Sequence, residues 1–208
     1  MKLFLQTSSG QPSIVLWDNE VLFEAQFPQM ARLDYGAELL GALNSIDASM
    51  AMLDGIIVDI GPGRLGSTRT AVAFANGLGF ALNIPLIPLS SISILGIHAE
   101  KTHQRPCLVL RKAARRQFHW ALVRNGLITE TGFAEQAEII PTSYVGPIVM
   151  AGDGDAESVA LPSLPDVRWS GITLAPGAAL AGLTRFLHPA IGPVLPLIDT
   201  RGLADGNR

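Results

Sequence analysis

The most suggestive residues for chemistry form the turn Ile60-Gly61-Pro62-Gly63, which runs into Arg64-Leu65-Gly66-Ser67-Thr68-Arg69. A Pro-Gly centre predicts a type II turn, since proline sets the first φ and glycine accepts a positive second one. Such a turn delivers the chain onto a helix whose free amides could hold an anion. A tight strand-to-helix connection with no ligand accounts for the same residues. The histidines His98, His103, His119 and His188 form no i, i+4 pair and have no acidic third ligand nearby, so a helix-borne metal site has no basis. Ser90-Ser91 has no evident base and no Gly-x-Ser-x-Gly elbow exists, which removes an acyl-transfer triad. Arg111-Lys112-Ala113-Ala114-Arg115-Arg116 places four positive charges in six residues. That run could meet phosphate or an acidic partner, or be a solvated hairpin tip. Asp153 and Asp155 in the GDGDA segment are too few oxygens for a calcium loop, and a glycine turn explains them more simply.

The elements that would carry these residues follow from apolar runs and turn formers. Residues 2–6, 13–17 and 20–27 read as three antiparallel strands separated by Thr7-Ser8-Ser9-Gly10-Gln11-Pro12 and Asp18-Asn19. Leu39, Leu40, Leu43 and Ile46 recur at helical spacing within a helix over 36–48. The apolar strand 55–60, interrupted by Asp59, leads through Gly61-Pro62-Gly63 into a helix ending near Leu82, a strand-turn-helix crossover. Its Ala71, Ala73, Ala75, Gly77, Gly79 and Ala81 strip away bulk, which suits either packing within the lobe or an interface with another subunit. Residues 84–100 give a further strand, a Ser90-Ser91 cap and a helix. Strands at 107–112, 117–126 and 126–133, hinged at Asn125-Gly126, then lead to the strand and glycine turn at 147–154. A closing helix is expected over 177–187, with a frayed tail beyond. The plan thus occurs twice, which predicts an α/β protein of two lobes, 1–103 and 104–208.

Composition narrows the function classes. Of 208 residues, 48% are hydrophobic and only 16% charged, so much apolar surface must be covered, within the fold or against a partner. A net charge of -3 argues against gripping nucleic acid by bulk electrostatics. No window suits a membrane span or a signal peptide, and the single Cys107 fits a reducing compartment and a small core role, so a cytoplasmic protein is expected.

The segments GPGRLGSTR, AVAFANGLGFALN and IPLIPLSSISIL resemble, in order and spacing, the GPGSFTGLR-like loop, small-residue helix and IPLIGVSSL-like strand of the TsaB (YeaZ) family. LQTSSG followed by SIVLWD resembles that family's opening hairpin, and AGDG (151–154) its second-lobe turn. The likeness is closest over 55–95, thinner over 1–54 and thinnest over 105–208. Gln6 stands where the family has an N-terminal aspartate, Arg64-Leu65-Gly66-Ser67 replace the loop's Ser-Phe-Thr-Gly, and Arg69 is kept. The family's first-helix histidine falls near Tyr35, and its DAR...E segment falls on Lys112-Ala113-Ala114 and Gln117.

The resemblance implies the two-lobed actin-like ATPase fold with its ribonuclease H-like motif. It also implies a non-catalytic scaffold of the machinery that makes threonylcarbamoyladenosine in tRNA. A TsaD-type transferase and a TsaE-type ATPase would be partners, with a homodimer in isolation and tRNA met only indirectly. Gly61, Pro62, Gly63, Arg64, Arg69, Ala73 and Gly77 would serve the protein interface. Thr7, Ser8, Gly152 and Gly154 would be the remains of a nucleotide site, which could bind ATP or ADP without hydrolysing it. No metal or other cofactor is expected. A kinase or ATPase using the loop Thr7-Ser8-Ser9-Gly10, and a degenerate relative with a different protein partner, are the rival readings.

Overall fold

The structure is a computed structural model that describes residues 1–9, 11–28, 33–113, 116–135, 138–153, 166–184 and 187–197. The chain divides into two compact units, Met1–Ser91 with Pro176–Pro196, and Ile92–Ala175 with the segment that begins at Leu197. Where the sequence suggests a break near His103, the helix beginning at Ser91 belongs to the second unit from Ile92 onward.

In the first unit, β1 (Lys2–Gln6), β2 (Ser13–Trp17) and β3 (Val21–Gln26) form an antiparallel meander. Parallel strands β4 (Gly55–Asp59) and β5 (Leu86–Leu89) extend it to the order β3-β2-β1-β4-β5. Helices α1 (Tyr35–Ser45) and α2 (Leu65–Leu82) carry the crossovers, which parallel pairing requires. Asp34 caps α1, its carboxylate accepting the Gly36 and Ala37 amides at 3.0 and 3.1 Å. Asn83 ends α2 in the left-handed conformation, φ 53°.

Alternation along the strands puts Leu3, Leu5, Ile14, Leu16, Ile56 and Val58 in one core with Tyr35, Leu39 and Leu43 of α1 and Ala71, Val72 and Ala75 of α2. Each fully buried large aliphatic side chain contributes roughly 1.5–3 kcal/mol of hydrophobic stabilisation. The returning segment 176–196 completes this unit. Gly177 donates to Glu24, and a Cβ there would come within 2.7 Å of Val15. The Ala190 amide donates to the Leu86 carbonyl, while the Asn76 side chain exchanges two 2.9 Å hydrogen bonds with the Val194 backbone. The closing helix expected over 177–187 is instead a 3-10 turn, Gly177–Gly182, with i to i+3 bonds such as Ala179 N to Pro176 O.

The second unit repeats the plan. α3 (Ser91–His103) precedes β6 (Cys107–Lys112), β7 (Gln117–Arg124) and β8 (Leu127–Glu135), an antiparallel meander, and β9 (Ile148–Gly152) and β10 (Val167–Trp169) are parallel additions. The order β10-β9-β6-β7-β8 is the first sheet's order read from its other edge. One face buries Leu108, Leu110, Trp120, Leu122, Ile148 and Met150. On the other, α3 approaches closely at Gly96, where a Cβ would lie 2.3 Å from Val123. Cys107 is fully buried, and burial, with the nearby Glu100 charge, pushes its thiol far above the ordinary value, as suits an inert core residue.

Candidate functional site

Register places polar residues where the apolar strands run out. In the first unit Leu5 pairs with Val58, so Gln6 and Asp59 stand one step further along, and Gln6 faces Ser13 on the other side. In the second, Leu110 pairs with Gly152, so Arg111 and Asp153 hold the matching positions, with Arg111 facing His119.

Asp59 is fully buried. Its Oδ2 accepts the Thr7 and Ser8 amides at 3.2 and 2.9 Å, and its Oδ1 accepts the Gly61 amide at 2.9 Å. Hydrogen bonds to the charged form are what make a buried carboxylate tolerable. The loop after β1 is also bound to the glycine turn, because the Arg64 amide donates to the Ser8 carbonyl at 2.9 Å. Gly63 has φ 156°, and any Cβ on it would lie 2.4 Å from the Ser8 carbonyl oxygen, so the close approach demands glycine. The turn itself differs from the expected type II geometry: the Gly61–Pro62 peptide is cis. Ser91 fixes it from the far side, donating through its amide to Gly61 O at 2.8 Å and through Oγ to Pro62 O at 2.5 Å. Tyr35, at the start of α1, has its hydroxyl pushed up to about 12, first by burial and then by the Asp59 charge. The hydroxyls of Thr7 and Ser13 are buried without a hydrogen-bond partner.

In the second unit Arg111 is fully buried and its Nη1 meets Asp153 Oδ1 at 3.1 Å. The other Asp153 oxygen accepts the Lys112 amide at 2.8 Å, the counterpart of Thr7 N on Asp59. This corrects the reading of the basic run as a solvated tip at Arg111; Arg115 lies outside the described residues. Gly152, φ 110°, would bring a Cβ within 2.0 Å of the Leu110 carbonyl oxygen. Gly154 and Asp155 lie outside the described residues.

The residues expected at an interface divide by exposure. Gly61 and Pro62 are buried and Gly63 half-buried, so they shape the turn, whereas Arg64, Arg69, Ala73 and Gly77 are exposed. Arg69, Ala73, Gly77 and Ala81 recur every four residues as one open stripe on α2. A Cβ at Gly66 or Gly77 would meet nothing within 4 Å, and Phe80 beside the stripe is 91% exposed. Thr7 and Ser8 belong to the first unit and Gly152 to the second. Sequence reasoning missed Asp59 and Asp153 as a matched pair.

The fold and these stations define a duplicated, two-lobed α/β protein of the actin-like class. Residues 38–175, more than half of the chain, match the family model of TsaD: tRNA N6-adenosine threonylcarbamoyltransferase. The uncharacterized protein Rv3421c of Mycobacterium tuberculosis is 31% identical over 159 residues, 76% of this chain and 70% of that protein. The uncharacterized protein ML0378 of Mycobacterium leprae is 30% identical over 127 residues, 61% of this chain, and the chain matches only 33% of its length. A Pseudomonas aeruginosa structure, described as an uncharacterized protein with similarity to peptidase YEAZ, superposes with TM-score 0.75 and 20% identity, covering 94% of this chain and 97% of the other. YeaZ from the same organism gives TM-score 0.71 at 18% identity, covering 89% and 90%. The chain belongs to the TsaD family, and its fold is that of the YeaZ-type, TsaB-like proteins.

Gln6 at the end of β1 cannot act as an anionic ligand, and among the described residues no three His, Cys, Asp or Glu side chains gather as a metal site would require. Among the described residues no helix is long and apolar enough to cross a membrane.

Proposed function

We propose that the chain is a non-catalytic, TsaB-like scaffold in the cytoplasmic machinery that forms threonylcarbamoyladenosine in tRNA, and that it binds a TsaD-type transferase through α1 and α2. The observation that carries this reading is the bare face of α2. Arg69, Ala73, Gly77 and Ala81 leave a shallow track onto which another helix can pack closely, and Phe80 projects beside it. Exposed apolar surface of this kind is the usual mark of a protein interface. α1 extends the surface with exposed Leu40 and with Gly41, which is open. A homodimer through the same face, a further contact with a TsaE-type ATPase and indirect contact with tRNA belong to this reading. ATP hydrolysis by this chain does not.

Co-purification with the transferase homologue of the same genome, followed by size exclusion with light scattering, tests it. A stable one-to-one complex is expected. Gly77→Leu is expected to leave the circular dichroism spectrum and melting curve unchanged while abolishing that complex, because the new side chain fills the track from the solvent side. An unchanged complex in sedimentation would rule α2 out as the interface. Exposed Arg64 and Leu65 stand where the family carries Ser and Phe, which favours one alternative, a diverged member with a different protein partner. A wild-type protein that ignores the transferase yet self-associates would support that reading.

A further inference from the structure

Both loops that could present backbone amides to a nucleotide's phosphates already hold an anion, and in each case that anion is part of the chain. After β1 the Thr7 and Ser8 amides are directed at Asp59 Oδ2. At the end of β6 the Lys112 amide is directed at Asp153 Oδ2, at the register-matched position. Thr7, Ser8 and Asp59 are all 0% exposed, so this cluster offers no surface to an incoming ligand. A phosphate seeking the Thr7 and Ser8 amides would first have to displace a buried carboxylate, and one seeking the Lys112 amide would have to displace a half-buried carboxylate paired with Arg111. The first would then lie beside that carboxylate in a poorly screened interior, where like charges repel strongly.

We propose that Asp59 and Asp153 act as internal substitutes for nucleotide phosphate, so that the Thr7, Ser8 and Lys112 amides are satisfied without ligand and neither station takes a nucleoside di- or triphosphate. The inference is independent of the scaffold reading, since a protein with any partner could carry it. It predicts two behaviours that a merely weak nucleotide site would not show together. Wild-type protein gives no calorimetric heat and no melting shift with magnesium-ADP or magnesium-ATP up to about 5 mM, where even a millimolar site would register. Asp59→Gly, which removes the internal anion, melts below wild type, and added formate, acetate or inorganic phosphate raises its melting temperature while leaving wild type unmoved.

Saturable binding of magnesium-ADP to wild type with a Kd below about 1 mM, with chemical-shift changes at the Thr7 and Ser8 amides, would overturn the proposal. So would an Asp59→Gly protein that melts with wild type, since the carboxylate would then not be holding the loop. If Asp59→Gly does not fold, the wild-type titration still decides between closed and open loops, and Asp59→Asn takes the variant's place in the melting comparison.

Discussion

At the end of β1 the chain places neutral Gln6 and satisfies Asp59 with three backbone amides; at the matched position within β6 it places Arg111 and satisfies Asp153 with one amide and a guanidinium. The two solutions solve one problem, a carboxylate at the end of an apolar parallel strand. In the first unit the ligand set is backbone, so it depends on loop shape: the Gly63 approach and the Ser8 carbonyl's hold on Arg64 keep the amides aimed. In the second it depends on a side chain, since Arg111 is fully buried and carries its charge into the sheet. A loop-built site is sensitive to turn residues and tolerant of side-chain changes, whereas an ion-pair site has the opposite sensitivity.

The largest effect should come from Asp153→Ala, which leaves the Arg111 guanidinium buried without its carboxylate; breaking one partner of a buried pair costs about 3–5 kcal/mol. Urea denaturation measures it. Replacing both members, Arg111→Met with Asp153→Leu, should recover most of that loss, because an apolar pair of similar volume needs no counter-charge. A double variant as unstable as the single one would mean that the ion pair is not the source of the effect.

A smaller effect belongs to the first unit alone. Tyr35 holds its proton up to about 12 against an ordinary 10.0, so the native state binds that proton more tightly than the unfolded chain. Stability is therefore intact below pH 10 and falls as pH rises from 10 toward 12, by up to about 1.4 kcal/mol per pH unit. Tyr35→Phe should flatten that slope in alkaline denaturation curves. A slope that survives the substitution would assign it to another group.

The smallest effect concerns the buried hydroxyls without partners. Ser13→Ala removes an orphan oxygen and should be neutral or stabilise by up to about 1 kcal/mol, read as an unchanged or raised melting temperature. A clear loss would show that Ser13 has a bonding role in solution.

Much of this architecture is legible in the residues. The strands at 2–6, 13–17, 55–60 and 107–112 announce themselves as short apolar runs between turn formers. The length from Leu65 to Leu82 leaves room only for a helix, and the doubled order of elements foretells two lobes. What is not legible is what depends on register. Asp59 reads as an interruption in an apolar strand and Arg111 as one charge in a basic run, because only pairing shows which residue stands beside Gln6 or Asp153. The turn over 177–182 reads as a helix because its small residues carry no signal separating α from 3-10 geometry. Its hold on Glu24 lies 153 residues away in sequence.

The return of 176–196 to the first sheet bears on how the protein is made. β5 receives the Ala190 amide, and Asn76 is satisfied by Val194, only after all of Ile92–Ala175 has been synthesised. At about 5–20 residues per second a ribosome needs on the order of ten seconds for that stretch. During that interval the nascent first sheet has Leu86 at an uncovered edge, the kind of edge that recruits other chains.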